Sequence, residues 1–434
     1  MNTLIIGSLQ GLLPDLPRWQ GQLYDPECGV ERLGAALMES GAETIIYAPP
    51  REVQDAARIS YALGVAAADV GIKRIVLVSS MGLMASYPEN WRIDARWKPK
   101  VASPQDLSTL ALWLAELSLR EIARAIDIRV SIVRISESSK TDAESAILKA
   151  LDDSERWKIH LVPEPAQESR SFAVASPKPR EPFRKIAVLG AGGPLGAVLI
   201  EELKDNFLLR LADIQPLDTA KPQSATAPVP VFPGGPHEEV HCDVRDIRSV
   251  LDACEGCDAI VNLTVVRDKF ADAFAVNTLG AWNVGQAAYL KGIRRIVHTG
   301  PQLITLHGEN DYMWDWDISA DPLPRPGRHL YGHSKYLGQE ILRVFAETCG
   351  IEVPVLLFNV FTQPDEYMEH SHPMMLSWQD SARAIRAALE VPSLPSPYEV
   401  FHCCVNLPHG QMNAHKAKWL LNWEAKDKLE SAYG

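Results

Sequence analysis

The sequence predicts an α/β protein: a doubly wound parallel-sheet domain with a small C-terminal cap, preceded by a second, truncated domain of similar kind. Three observations carry this. The stretch Lys185–Gly196, KIAVLGAGGPLG, joins the apolar run Ile186–Leu189 to Gly190, Gly193 and Gly196, and then to the helix-compatible Ala197–Leu203. Beyond it, short apolar runs alternate with helical segments, and parallel strands need such crossovers. Finally, Gly71-Ile-Lys-Arg-Ile-Val-Leu returns as Gly292-Ile-Arg-Arg-Ile-Val-His, an internal repeat at an offset of roughly 220 residues.

The bulk numbers fit. A chain of 434 residues exceeds one ordinary core, so two domains are expected. A net charge of −12, with no basic stripe, argues against nucleic acid or an anionic membrane as partner. The start lacks a basic leader region and no apolar run approaches membrane-span length. Seven cysteines without a framework spacing suit a reducing cytoplasm. Cys254-Glu-Gly-Cys257 is a lone pair and reads as a surface turn at a helix end, so no metal is expected.

In chain order, residues 1–165 form the first domain. Asp25–Leu33 followed by Glu43–Pro49 parallels Asp243–Leu251 followed by Asp258–Thr264, and a helix then strand at Leu112–Ile135 parallels one at Lys335–Phe358. Only 24 residues precede Asp25, too few for a full strand–helix–strand glycine cradle. Residues 166–183 are linker-like in their prolines, serines and charges. The second domain covers 184–434, with the cap at about 360–434. Within it, Phe207–Asp213 reads as a strand and Pro216–Pro236 as a proline-rich surface loop. Strands follow at Glu239–Cys242, Ala259–Thr264, Arg295–Thr299 and Val353–Phe358, with helices around Asn277–Leu290 and from Tyr331.

A strand that turns through spaced glycines into a helix N-terminus suits a dinucleotide pyrophosphate, because the helix end offers unsatisfied N–H groups and a positive dipole. Asp213 falls about 20 residues on, where a carboxylate accepts from the 2′-hydroxyl of NAD and repels the phosphate of NADP. Tyr331 and Lys335, four apart, share one face of a helix, and an ammonium beside a phenol favours the phenolate. Such a tyrosine can take the proton of an alcohol while hydride leaves its carbon.

Cradle, acid and Tyr331-Gly-His-Ser-Lys335 together resemble the extended short-chain dehydrogenase/reductase superfamily, its NAD-dependent epimerase/dehydratase branch, in a tandem whose N-terminal copy is degenerate. The resemblance implies Rossmann domains, NAD as cofactor, Tyr331 as acid/base and Lys335 as its activator and ribose anchor. It further implies cofactor contacts from Asp243, Val244, Thr264 and Asn277, and places Asn359 of Phe358-Asn-Val360 by the substrate. Where the family has a serine pair, this chain has Gly300-Pro301, leaving Thr299 as the nearest hydroxyl able to orient substrate. The first copy keeps Ser79-Ser80 but sets Ser108 and Leu112 against the Tyr and Lys, so it should have no chemistry.

Family members pair through two helices, which implies an intramolecular pseudo-dimer: Arg51–Val70 and Leu107–Ile126 against Asp268–Leu290 and Tyr331–Thr348. In Gly308–Asp317, the rings of Tyr312, Trp314 and Trp316 could stack on a sugar, or could simply pack their loop. Glu369, His370 and His372 read as a solvated loop rather than a metal site, and Thr362–Pro373 has no cation for a substrate diphosphate. The expected activity is NAD-dependent oxidation or reduction of a secondary alcohol or ketone of a sugar, sugar acid or polyol. An epimerase with retained cofactor is the alternative, and a weakly catalytic NAD-sensing protein the third reading.

Overall fold

The structure, a computed structural model, describes residues 2–9, 18–19, 28–87, 93, 95, 97–136, 140–162, 183–224, 226–305, 318, 320–321, 324–363, 374–406 and 412–429. The chain forms two compact units. The first is 1–175 with 268–275 and 327–337; the second is 176–267 with 276–326 and 338–434. Two short segments of the C-terminal half therefore belong to the first unit, a partition that a cut at 165/184 does not anticipate. The expected linker, apart from Phe183, lies outside the described residues.

The N-terminal sheet is built from β1 (Thr3–Ile6), β2 (Arg18–Trp19), α1 (Val30–Ser40), β3 (Thr44–Tyr47), α2 (Val53–Asp69), β4 (Arg74–Ser80), α3 (Leu107–Ala125), β5 (Arg129–Ile135), α4 (Lys140–Ala150) and β6 (Trp157–Val162). Its order is β2-β1-β3-β4-β5-β6, with every pair parallel. The inner strands β1, β3, β4 and β5 are mostly apolar and buried, as burial on both faces demands. Here the structure adds to the sequence reading. The strand TLII of β1 lies ahead of Asp25 and ends in Gly7 at φ +91°, where a Cβ would fall 2.0 Å from the Ala48 carbonyl oxygen.

The C-terminal sheet is built along the chain from β7 (Lys185–Leu189), α5 (Pro194–Leu203), β8 (Leu208–Asp213), β9 (Glu238–His241), α6 (Ile247–Ala253), β10 (Ala259–Asn262), α7 (Phe270–Ala273), α8 (Gly280–Lys291), β11 (Ile296–Pro301), α9 (Leu330–Cys349), β12 (Val353–Phe358) and, past the two-stranded β13 (Val360–Thr362) and β14 (Met375–Ser377), from α10 (Trp378–Glu390), β15 (Tyr398–His402) and α11 (His415–Leu421), with α7 and the start of α9 falling in the first unit. A π-helical turn, Phe274–Leu279, joins α7 to α8. The order β9-β8-β7-β10-β11-β12-β15 is all parallel. The chain winds outward from β7 to β9, then restarts at β10 on the other side. The crevice at the C-terminal ends of β7 and β10 is thus the topological switch point where such sheets bind ligands. No described helix is long and apolar enough to cross a membrane.

Candidate active site

Two of the three glycines at the end of β7, Gly190 and Gly196, are required by a close approach. Gly190 has φ +85°, and a Cβ there would lie 3.0 Å from the Thr264 nitrogen. Its N–H donates to the Ala212 carbonyl at 2.8 Å, tying the turn to β8. Gly193 caps α5 without a side-chain hydrogen bond and Pro194 follows at the first helical position, so the helix end is left open for an anion. A Cβ on Gly196 would sit 2.3 Å from the Ala191 oxygen. A fourth glycine, which the triplet spacing does not single out, proves as constrained: Gly192 donates its N–H to Asp213 Oδ2 at 2.8 Å, and a Cβ there would be 2.9 Å from Asp213 Cγ. The Gln215 N–H holds Oδ1 at 3.3 Å. An uncapped helix end and a pinned carboxylate at the end of the neighbouring strand are what a dinucleotide's pyrophosphate and ribose need, so these residues fit NAD.

Around the crevice the other sequence-predicted residues have mixed positions. The Arg245 guanidinium holds the Asp243 carboxyl below its usual range and pairs with it at 2.8 Å. Val244 is buried, and its carbonyl accepts from Asn283 Nδ2 at 2.7 Å. Thr264 donates its hydroxyl to Asn262 Oδ1 at 2.7 Å. Asn277, in the π-helical turn, clamps the Val266 backbone: its Nδ2 donates to the carbonyl at 2.6 Å and its Oδ1 accepts from the N–H at 3.0 Å. Its amide therefore secures the loop that carries Thr264. Thr299 is buried and donates to the Asn262 carbonyl at 3.2 Å. The glycine after it has a packing cause, since a Cβ on Gly300 would come 2.2 Å from Gln339 Nε2. Asn262 and Gln339, which shape this corner, escaped the sequence reading, Asn262 as the lone polar residue of β10 and Gln339 as one polar residue among many in α9.

Tyr331 and Lys335 stand one turn apart near the start of α9. Lys335 is 2% exposed and Tyr331 half-buried. Both belong to the first unit, whereas the cradle, Asp213, Thr264 and Thr299 belong to the second. Asn359, beyond β12, donates Nδ2 to Met374 Sδ at 3.2 Å. Tyr312, Trp314, Trp316, Glu369, His370 and His372 lie outside the described residues. The Cys254–Cys257 turn does follow a helix, but its side chains are buried rather than on the surface, and burial pushes the Cys257 thiol up to about 11. Among the described residues, no group of three or more His, Cys, Asp or Glu could hold a metal ion.

Fold, switch point and cradle define a dinucleotide-dependent enzyme class, and the chain belongs to the NAD dependent epimerase/dehydratase family, which matches residues 186–393. As a member it is an NAD-dependent oxidoreductase or epimerase. It is 32% identical over 218 residues to the uronate dehydrogenase of Pseudomonas putida, covering 49% of this chain and 74% of that protein. Against the uronate dehydrogenase of Pseudomonas syringae pv. tomato the identity is 29% over 218 residues, covering 49% and 72%. A solved structure titled "Mutated Uronate Dehydrogenase" overlaps 57% of this chain and 84% of its own at 25% identity and TM-score 0.48.

Proposed function

We propose that this protein is an NAD-dependent dehydrogenase of a free sugar acid, oxidising a secondary alcohol to a carbonyl. The observation that carries the reading is the Tyr331/Lys335 pair: a phenol on the face of a helix that also bears a buried ammonium, in a chain similar to two uronate dehydrogenases. NAD, held by Gly190, Gly193, Gly196 and Asp213 with Asp243, Val244 and Thr264 beside it, supplies the hydride acceptor. The phenolic oxygen of Tyr331 takes the hydroxyl proton of the substrate, Lys335 stabilises the phenolate and anchors the ribose, and Thr299 orients the alcohol. Trp314, Trp316 and Asn359 are assigned to the substrate side.

The residues before 184 are proposed to be a degenerate copy of the same domain, retained as a built-in partner. Three things support this: the order of the first sheet's six strands matches that of six of the second sheet's seven, β9 having no counterpart among the described residues, Gly7 mirrors Gly190 in its positive φ, and α2 and α3 pack with 268–275 and 327–337 inside one unit. Seven free cysteines agree with a cytoplasmic setting. The test is a spectrophotometric screen of glucuronic acid, related sugar acids and neutral sugars with NAD. Stoichiometric NADH from a sugar acid is the expected result. Interconversion of sugars without net NADH would make the protein an epimerase, and NAD binding without turnover of any of them would sink the enzyme reading.

A further inference from the structure

We infer that Tyr61 and Arg120 are positioning residues for the proton-transfer turn Tyr331–Lys335, an inference that rests on the acid–base reading above. The turn is held at points before, within and after it, and α2 and α3 supply a hydrogen bond before it, a ring contact within it and a hydrogen bond after it. Those helices lie outside the 186–393 segment that the family matches, so the family's own domain does not supply them.

Ahead of α9, the Tyr61 hydroxyl donates to the Arg328 carbonyl at 2.5 Å, and the Arg328 guanidinium forks onto both carboxylate oxygens of Asp69 at 2.9 Å. Burial pushes the Tyr61 phenol up to about 12, so it stays a donor at any working pH. Within the turn, the His333 ring lies 4.9 Å from the Tyr61 ring, edge-on, and is fully buried. Burial lowers that imidazole to about 4, and its Nδ1–H donates to the Gly327 carbonyl at 3.0 Å, closing the loop onto the helix. Just after Lys335, Arg120 Nη2 donates to the Tyr336 hydroxyl at 3.1 Å. That guanidinium is aimed by the buried Glu121, which accepts from its Nε at 2.8 Å.

A packing face alone needs apolar contact. Here directional bonds fix residues 328, 333 and 336, which bracket the phenol and the ammonium whose separation sets the acid–base chemistry. Misplacing a reacting group by about 1 Å can cost on the order of 100-fold in rate.

The experiment uses the full chain with NAD and glucuronic acid, comparing Tyr61→Phe, Arg120→Met, Arg120→Lys and Tyr331→Phe by kinetics and by hydrogen exchange. Expected for Tyr61→Phe and Arg120→Met is a loss of about tenfold in kcat with KM for NAD within about twofold. Peptides over 327–337 should exchange at least about fivefold faster while those over α10 stay unchanged. Arg120→Lys should recover most of the loss. Wild-type exchange over 327–337 in both Tyr61→Phe and Arg120→Met overturns the inference whether or not glucuronic acid turns over, as does faster exchange with wild-type kcat. If Tyr61→Phe fails to fold, the two Arg120 variants decide alone. Should Tyr331→Phe keep wild-type turnover, the acid–base reading itself is wrong. A dead Tyr331→Phe beside wild-type Tyr61→Phe and Arg120→Met removes only the positioning role.

Discussion

Gly192 carries no side chain because Asp213 stands where one would go, and the same contact aims the carboxylate. Two predictions follow at this scale. Asp213→Ser removes the proposed acceptor for the ribose hydroxyls and the charge proposed to repel a 2′-phosphate. The ratio of kcat/KM with NAD to that with NADP should fall at least about tenfold. An unchanged ratio would free Asp213 of that role. Tyr331→Phe should lower kcat by about 100-fold or more with NAD affinity nearly unchanged, read by turnover and by titration of nucleotide binding. Asp213 stands out in the sequence by its distance to the glycines and Tyr331 by its spacing to a lysine, since both proposed chemistries impose fixed intervals. The partner of Thr299 was not. Its hydroxyl bonds a backbone carbonyl on a neighbouring strand, and no local pattern encodes a contact between Thr299 and Asn262.

Across elements, β4, α3 and β5 meet in a buried charged knot. Arg134 donates through Nε and Nη2 to the two carboxylate oxygens of Glu116 at 3.0 and 2.7 Å, and Ser79 donates to the same carboxylate at 2.6 Å. All three side chains are buried. In the second sheet the corresponding corner holds Gly300, Gln339 and Leu357, which is neutral. The sequence displayed Ser79-Ser80 as the relic of a reactive pair. The structure shows Ser79 engaged with Glu116, and nothing in the apolar run around Glu116 announces it. Glu116→Gln leaves the guanidinium buried without its counter-charge and should destabilise the fold by about 3–5 kcal/mol. Replacing Glu116 and Arg134 together by Leu and Met should cost much less. Urea unfolding monitored by fluorescence separates these outcomes. Similar losses in the single and the double variant would show that packing, not charge compensation, sets the cost.

At the scale of the molecule, alternation of apolar runs with helical ones was enough to predict parallel sheets, because only crossovers permit that pairing. Three edge strands, β2, β6 and β15, were missed, whereas the edge strand β9 was read at Glu239–Cys242; the inner strand β1 was missed too. The burial of β6 is mostly partial, β2 is two residues long, and β15 sits outside β12 with three half-buried residues, so none shows the continuous apolar run of a central strand. The molecule also carries two histidines that folding keeps neutral, His333 and His402. Burial lowers each to about 4 from an ordinary 6.5, and each donates Nδ1–H to a carbonyl, of Gly327 and of Ile318. The unfolded chain takes up these protons near 6.5 whereas the folded chain resists until about 4. Between those values the unfolded state binds more protons, so stability is lost as pH falls through the window and is independent of these groups above it. Each displacement from 6.5 to about 4 corresponds to about 3 kcal/mol at the acid end of the window. Ordinary carboxylates titrate mainly below about 5, so the interval from 5 to 6.5 reports the histidines. The urea midpoint should fall steadily across it in the wild type, and His402→Gln should flatten the slope by about half. A midpoint that stays level from pH 6.5 to 5 would mean that both imidazoles can be charged where they lie.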